Sequence, residues 1–318
     1  MLRYTVKRVF SIIPMFIVIS FIIYCALDAC PGDAINSLIP PTLLQNGTVN
    51  VEGLREAYGL NDPLVVRYFR WFFNLFKGDF GYSIASGTPV ADILKSLLPS
   101  TMLLSLAALV ISTILGLVFG ITAAIHQDSA VDYGATVFGI LGVSFPEFFI
   151  GICAVQIFAI KLGWLPTGGR TDYGATGFWN TIKYYILPAC TLGFTLTAEL
   201  MRYTRSSMLD VLNRDYIKTA RSKGLSMRKV HFRHGFRNAL IPIVVLLCVR
   251  LPFIIGGAVV VETVFRWPGI GQRLVEAIMN KDYSVVMMIV MMMSLIVMIA
   301  SVLMDIITAL LDPRVQME

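Results

Sequence analysis

The sequence predicts an all-α polytopic membrane protein, and three observations carry that reading. Its 318 residues are 56% hydrophobic and 14% charged, where soluble globular chains carry about 25% charge. Mean hydropathy is +0.74. Six stretches, at 9–27, 101–125, 136–160, 184–201, 239–261 and 284–310, are long and apolar enough to cross about 30 Å of hydrocarbon at about 1.5 Å per helical residue. Disordered, coiled-coil and collagen-like chains are excluded by the same figures, because each needs charge or a short repeat. Only Glu147, Glu199, Arg250 and Asp305 put charge inside the six stretches.

Residues 1–27 are read as a cytoplasmic start and the first span. Leu27-Asp28-Ala29-Cys30 resembles a lipoprotein cleavage box, but Asp28 fits that box poorly, so an uncleaved first span is expected. The segment 28–100 is too long for a plain connection and is expected to be a folded extracytoplasmic element. Asn61-Asp62-Pro63 supplies a helix start, a capping side chain followed by a proline. Val65, Val66, Phe69, Phe72, Phe73 and Phe76 then recur at helical spacing, with Arg67, Arg70, Asn74 and Lys77 on the opposite face and Gly78 as the stop. Such a helix lies at the membrane interface or against the bundle, as a docking platform or a brace.

Residues 101–318 hold the other five spans; the fourth is the most polar, threaded with Thr191, Thr195 and Thr197. Orientation follows the distribution of Lys and Arg. With a cytoplasmic N-terminus, Arg3, Lys7, Arg8, ten residues in 202–238 and Arg314 lie inside, against six in the two short outer loops. Both termini are therefore expected inside. The loop 202–238 sets ten basic residues against Asp210 and Asp215. It offers no aromatic stacking platform, which argues against nucleic-acid binding. Positive-inside topology explains its sign but not its internal order. Asn213 or Asp215 begins a helix through Tyr216, Ile217 and Ala220, Gly224 stops it, and Ser226 begins a second helix leading through Val230 and Phe236 to Pro242. A helix, a glycine and a helix between two spans make a rigid cytoplasmic projection.

Chemistry is sparse. Cys153, Cys190 and Cys248 fall in apolar runs and read as small buried hydrophobes. Cys25 and Cys30 stand apart from other ligand types, and His126, His231 and His234 flank apolar runs instead of entering them. Metal and cofactor binding are not expected. No Gly-x-x-x-x-Gly-Lys-Ser/Thr phosphate cradle occurs.

The run Asp215-Tyr216-Ile217-Lys218-Thr219-Ala220-Arg221-Ser222-Lys223-Gly224-Leu225, with Arg237-Asn238-Ala239-Leu240-Ile241-Pro242 after it, resembles the cytoplasmic coupling loop of ATP-binding-cassette importer permeases, in the oligopeptide/dipeptide/nickel branch. Against the broad signature Glu-Ala-Ala-x-x-x-Gly, only Ala220 and Gly224 match; Lys218 and Thr219 stand at the first two places. Pro31-Gly32-Asp33, Gly59-Leu60, Gly78-Asp79-Phe80-Gly81-Tyr82-Ser83, Gly256 through Phe265, Trp267-Pro268-Gly269-Ile270-Gly271 and Lys281-Asp282-Tyr283 are similar to the same family.

The resemblance implies one of two homologous membrane subunits, two ATPase subunits that bind ATP and Mg, and an extracytoplasmic binding protein. It implies that Asp215, Tyr216, Thr219, Ala220, Arg221, Lys223 and Gly224 meet the ATPase. Peptide is the implied cargo, with a nickel or other metal chelate or a short oligosaccharide as alternatives. From their positions, Glu147 and Arg250 are each expected about 16 Å deep. They either line the channel or pair with each other, while Glu199 and Asp305 pair with neighbouring cations. An intramembrane protease is disfavoured because no His and no second Asp stands in a span. A stand-alone secondary transporter would show two related halves, and none is evident.

Overall fold

The computed structural model describes residues 2–29, 61–170 and 177–311; their regular structure is helical, joined by turns and loops, with one isolated bridge between Tyr82 and Pro89. Pro31-Gly32-Asp33, Gly59-Leu60, Cys30 and Arg314 lie outside the described residues. The helices are α1 (Leu2–Asp28), α2 (Leu64–Phe76), α3 (Val90–Ile125), α4 (Ala130–Ser144), α5 (Glu147–Ala154), α6 (Phe178–Leu212), α7 (Asp215–Ser222), α8 (Arg237–Val264), α9 (Ile270–Met279) and α10 (Tyr283–Leu311). A π-helical stretch, Val155–Lys161, extends α5, and a second, Val230–Phe236, leads into α8.

Proline sets three helix starts. Pro63, Pro89 and Pro146 stand directly before α2, α3 and α5, with φ of −53°, −57° and −62°, the angle the ring imposes and the helix needs. The expected Asp62 cap is not formed. Its carboxylate instead takes Arg70 Nη2 at 2.6 Å, while its carbonyl accepts from Arg67 Nε. Gly78 does close α2, at φ +79°.

The third span departs from its expected straight course. α4 and α5 meet at a bend of 106° across Phe145 and Pro146. The cause is local: a residue before proline is driven out of the helical region, and Phe145 sits at ψ 134°. The depth reckoned for Glu147 along a straight helix therefore does not hold. By length and composition, four described helices could cross a membrane, or five if the bent pair counts as one. α6, 35 residues long, is not among them, because its polar residues lower its hydropathy.

α6 is nevertheless central. Buried Thr191 and Thr197 lie within it, and Thr197 Oγ1 donates to the Gly193 carbonyl at 2.7 Å, so that hydroxyl is satisfied on the helix's own backbone. Small residues let its neighbours approach. A Cβ at Gly120 of α3 would fall 2.6 Å from Thr204 Cβ and 2.7 Å from the Met201 carbonyl oxygen. One at Gly142 of α4 would fall 2.5 Å from Ala198 Cβ. Close backbone packing of this kind substitutes for the hydrophobic drive that lipid does not provide.

Candidate functional site

Three constellations stand out. The first is α7. Ile217 and Ala220, one turn apart, are buried in a core shared with Met208, Leu212, Val230 and Ile243. The remaining residues of the helix face outward, as do Lys223 and Gly224. Ala220, expected with its neighbours to meet the ATPase, packs its methyl into the bundle and holds the helix down. Lys218 Nζ pairs with Asp215 at 2.9 Å on the exposed face. Asn238 Nδ2 donates to the Tyr216 hydroxyl at 3.3 Å, tying α7 to the start of α8. Gly224 has φ +75°, a left-handed conformation that costs other residues roughly 1–2 kcal/mol. Neither Asn213 nor Asp215 caps α7; Arg214 occupies that place without a side-chain bond.

The second is a charged cavity of about 600 Å³ between α4, α6 and α8. Glu199, Arg202, Tyr203 and Ser206 line it from one face of α6, and Leu246 and Arg250 from α8. Arg250 Nη2 lies 2.9 Å from Glu199 Oε1. Of the two expected alternatives, a Glu147–Arg250 pair is not seen among the described residues; the carboxylate that meets Arg250 is that of Glu199. Glu147 opens α5 and makes no ion pair among the described residues. Asp305 pairs with Arg8 at 3.1 Å, the neighbouring cation that its place near a span end requires. Arg205 forms a two-pronged bond to buried Asp132, its Nη2 arm at 2.7 Å, fastening α6 to the first turn of α4.

The third is a pair of clamps at the opposite end of the bundle, which the sequence did not expose as partners. Glu262 is fully buried. It accepts from Thr101 Oγ1 at 2.5 Å and from the Gly271 and Gln272 amides at 2.7 and 3.1 Å, so a carboxylate seats on the first turn of α9. Trp267 Nε1 donates to the Ser100 carbonyl at 3.3 Å. Asp282, also fully buried, accepts from Ser83 Oγ at 2.5 Å and the Ile84 amide at 3.1 Å. Two motifs noticed separately, around Ser83 and Asp282, therefore bind each other.

A long helical bundle, a projecting helix-Gly element and a charged cavity between helices suit a transport subunit, and comparison with known proteins decides which kind. Residues 116–317 match the model of the "binding-protein-dependent transport system inner membrane component", and residues 1–107 match the corresponding N-terminal component. The chain belongs to this family. It is a permease subunit of an ABC importer and a multi-pass membrane protein.

The permease is 38% identical to the oligopeptide transport system permease protein AppB of Bacillus subtilis, over 99% of this chain and 100% of that one. It is 34% identical to the glutathione transport system permease protein GsiC of Escherichia coli K12, over 99% of each. Its fold resembles that of an amino acid ABC transporter crystallised with histidines, at TM-score 0.55 and 12% identity, over 69% of the permease and 94% of that chain. Among the described residues no group of His, Cys, Asp and Glu has the geometry to hold a metal ion.

Proposed function

We propose that the permease forms one half of a peptide translocation path in the cytoplasmic membrane. The observation that carries the reading is the match to the oligopeptide permease, at 38% identity over 99% of this chain and 100% of that one. The charged cavity supports it: at about 600 Å³ it is of a size that holds small ligands, and it presents both signs of charge, as a free peptide does. Arg250 and Glu199 line this path, and Glu147, at the break between α4 and α5, stands beside it. Six spans with both termini cytoplasmic, α6 being the fourth, place α7 inside and the Glu262 and Asp282 clamps outside.

The assembly contains a second homologous permease, two ATPase subunits and an extracytoplasmic binding protein. ATP and Mg belong to the ATPase subunits, whose closure is passed to the spans through Asp215, Tyr216, Thr219, Arg221, Lys223 and Gly224, with Ala220 anchoring the helix from behind. This is a two-state element biased by nucleotide. The test is uptake of radiolabelled trialanine into proteoliposomes holding the co-purified assembly and its binding protein. Accumulation that requires both ATP and the binding protein is expected. Uptake by this chain alone, or no peptide uptake alongside transport of another cargo, overturns the reading.

A further inference from the structure

The helix α2 divides its circumference into three sectors instead of two. At about 100° per residue, Tyr68, Trp71, Phe72 and Leu75 share one face. Tyr68 and Phe72 are buried, and Trp71 and Leu75 pack on the core formed with α9 and α10. Arg67, Arg70, Asn74 and Lys77 share a second. Between them lies a third, Val65, Val66, Phe69, Phe73 and Phe76, all exposed, with Phe76 at 75%. A helix that only braced the bundle would need the first sector and a polar remainder. Among the described residues the third sector is apolar and open.

Two observations fix where that sector sits. Arg67 Nη1 bonds Asp28 Oδ1 at 2.7 Å, at the last residue of α1. From the next position, the Tyr68 hydroxyl reaches the Ile17 carbonyl at 3.2 Å and Ser20 Oγ at 2.7 Å. Ile17 lies about 16 Å below Asp28 along α1. The polar side of α2 is thus level with the end of the first span, and its aromatic side reaches well down that span. Ring contacts through buried Tyr68 also link the exposed sector to α1. Phe21, itself open on one side, meets Tyr68 at 5.0 Å between ring centroids; Tyr68 meets Phe69 at 5.3 Å, and Phe69 meets Phe73 at 6.2 Å. Along α1, Val18 and Ile22 are exposed as well.

We propose that the Val65, Phe69, Phe73 and Phe76 face of α2 is a lipid-contact surface, seating the helix in the headgroup boundary at the Asp28 end of α1. Phenylalanines enter the acyl region while Arg70, Asn74 and Lys77 stay among headgroups and water, the arrangement of an interfacial amphipathic helix. The bilayer then holds the top of the first span at a fixed level, and α2 passes that constraint to α9 and α10 through Trp71 and Leu75.

The test uses the full chain, co-purified with its partner subunits, with native cysteines replaced and single spin labels placed along α2, in vesicles of phosphatidylcholine and phosphatidylglycerol. Collision with molecular oxygen reports lipid, and collision with a water-soluble nickel chelate reports solvent. Oxygen is expected to dominate at Phe69→Cys, Phe73→Cys and Phe76→Cys, and nickel at Arg70→Cys, Asn74→Cys and Lys77→Cys, alternating with helical period. The latter three also certify that the helix has formed. Nickel dominance at 69, 73 and 76 means a water-facing surface and overturns the proposal. So does weak collision with both reagents there, which means that a protein partner covers the face.

Discussion

Arg250 and Glu199 meet at 2.9 Å across the line where α8 faces α6, each the charged residue of its own span. A lone charge within a span is costly, and together they share one cavity. Arg250→Gln or Glu199→Gln is therefore expected to lower the thermal stability of the purified assembly more than the double substitution does, because the double change leaves no lone charge. A thermal-shift comparison of the three variants reads the coupling; simple additivity would contradict the pair.

The same cavity bears on cargo. If Arg250 and Glu199 read the ends of a peptide, Arg250→Gln reduces the preference for free over C-amidated trialanine, and Glu199→Gln reduces the preference for free over N-acetylated trialanine. Competition assays on the reconstituted assembly measure both. Preferences identical to wild type would restrict the pair to holding α6 and α8 together.

Glu262 is the strongest structural point outside the cavity. Glu262→Ala strands a hydroxyl and two amides in a fully buried place, at about 1–3 kcal/mol for each unsatisfied group. The variant is expected to lose most folded protein in detergent, with Thr101→Val losing less because the two amide bonds survive. Size-exclusion profiles of the two variants would show equal behaviour if the carboxylate were dispensable.

Packing of α3 on α6 has no spare room. Gly120→Leu must displace Thr204 and the Met201 carbonyl, and backbone cannot yield as a flexible side chain does. Failure to assemble is expected from Gly120→Leu, with normal assembly from Gly134→Leu, where nothing lies within 4 Å. Co-purification of partner subunits distinguishes the two.

Much of this was legible in the sequence where one residue type carries one meaning. The apolar runs gave α1, α3 and α10 because membrane helices are apolar without interruption. Gly78 and Gly224 marked helix ends because a positive φ selects glycine. The break at Pro146 was visible as a proline but not as a bend, since its size depends on how α4 and α5 pack. Glu199 looked peripheral, and pairing it with Arg250 needs the crossing of α6 and α8, 51 residues apart. Ala220 matched a family position, but which face of α7 it takes is decided by Ile217 beside it in the core. The glycines at 116, 120, 139 and 142 did carry a signal, small residues at helical spacing in spans, that composition alone does not raise.

In the proposed assembly an ATPase subunit grips the outward face of α7. Site-directed cross-linking tests it most directly: a photoreactive group attached at Thr219→Cys or Arg221→Cys in the membrane-embedded assembly, with the product identified by mass spectrometry. An adduct with a nucleotide-hydrolysing subunit, its yield changing when ATP is added, is the expected result. Adducts with lipid alone, or none at either position while the ATPase co-purifies, would contradict it.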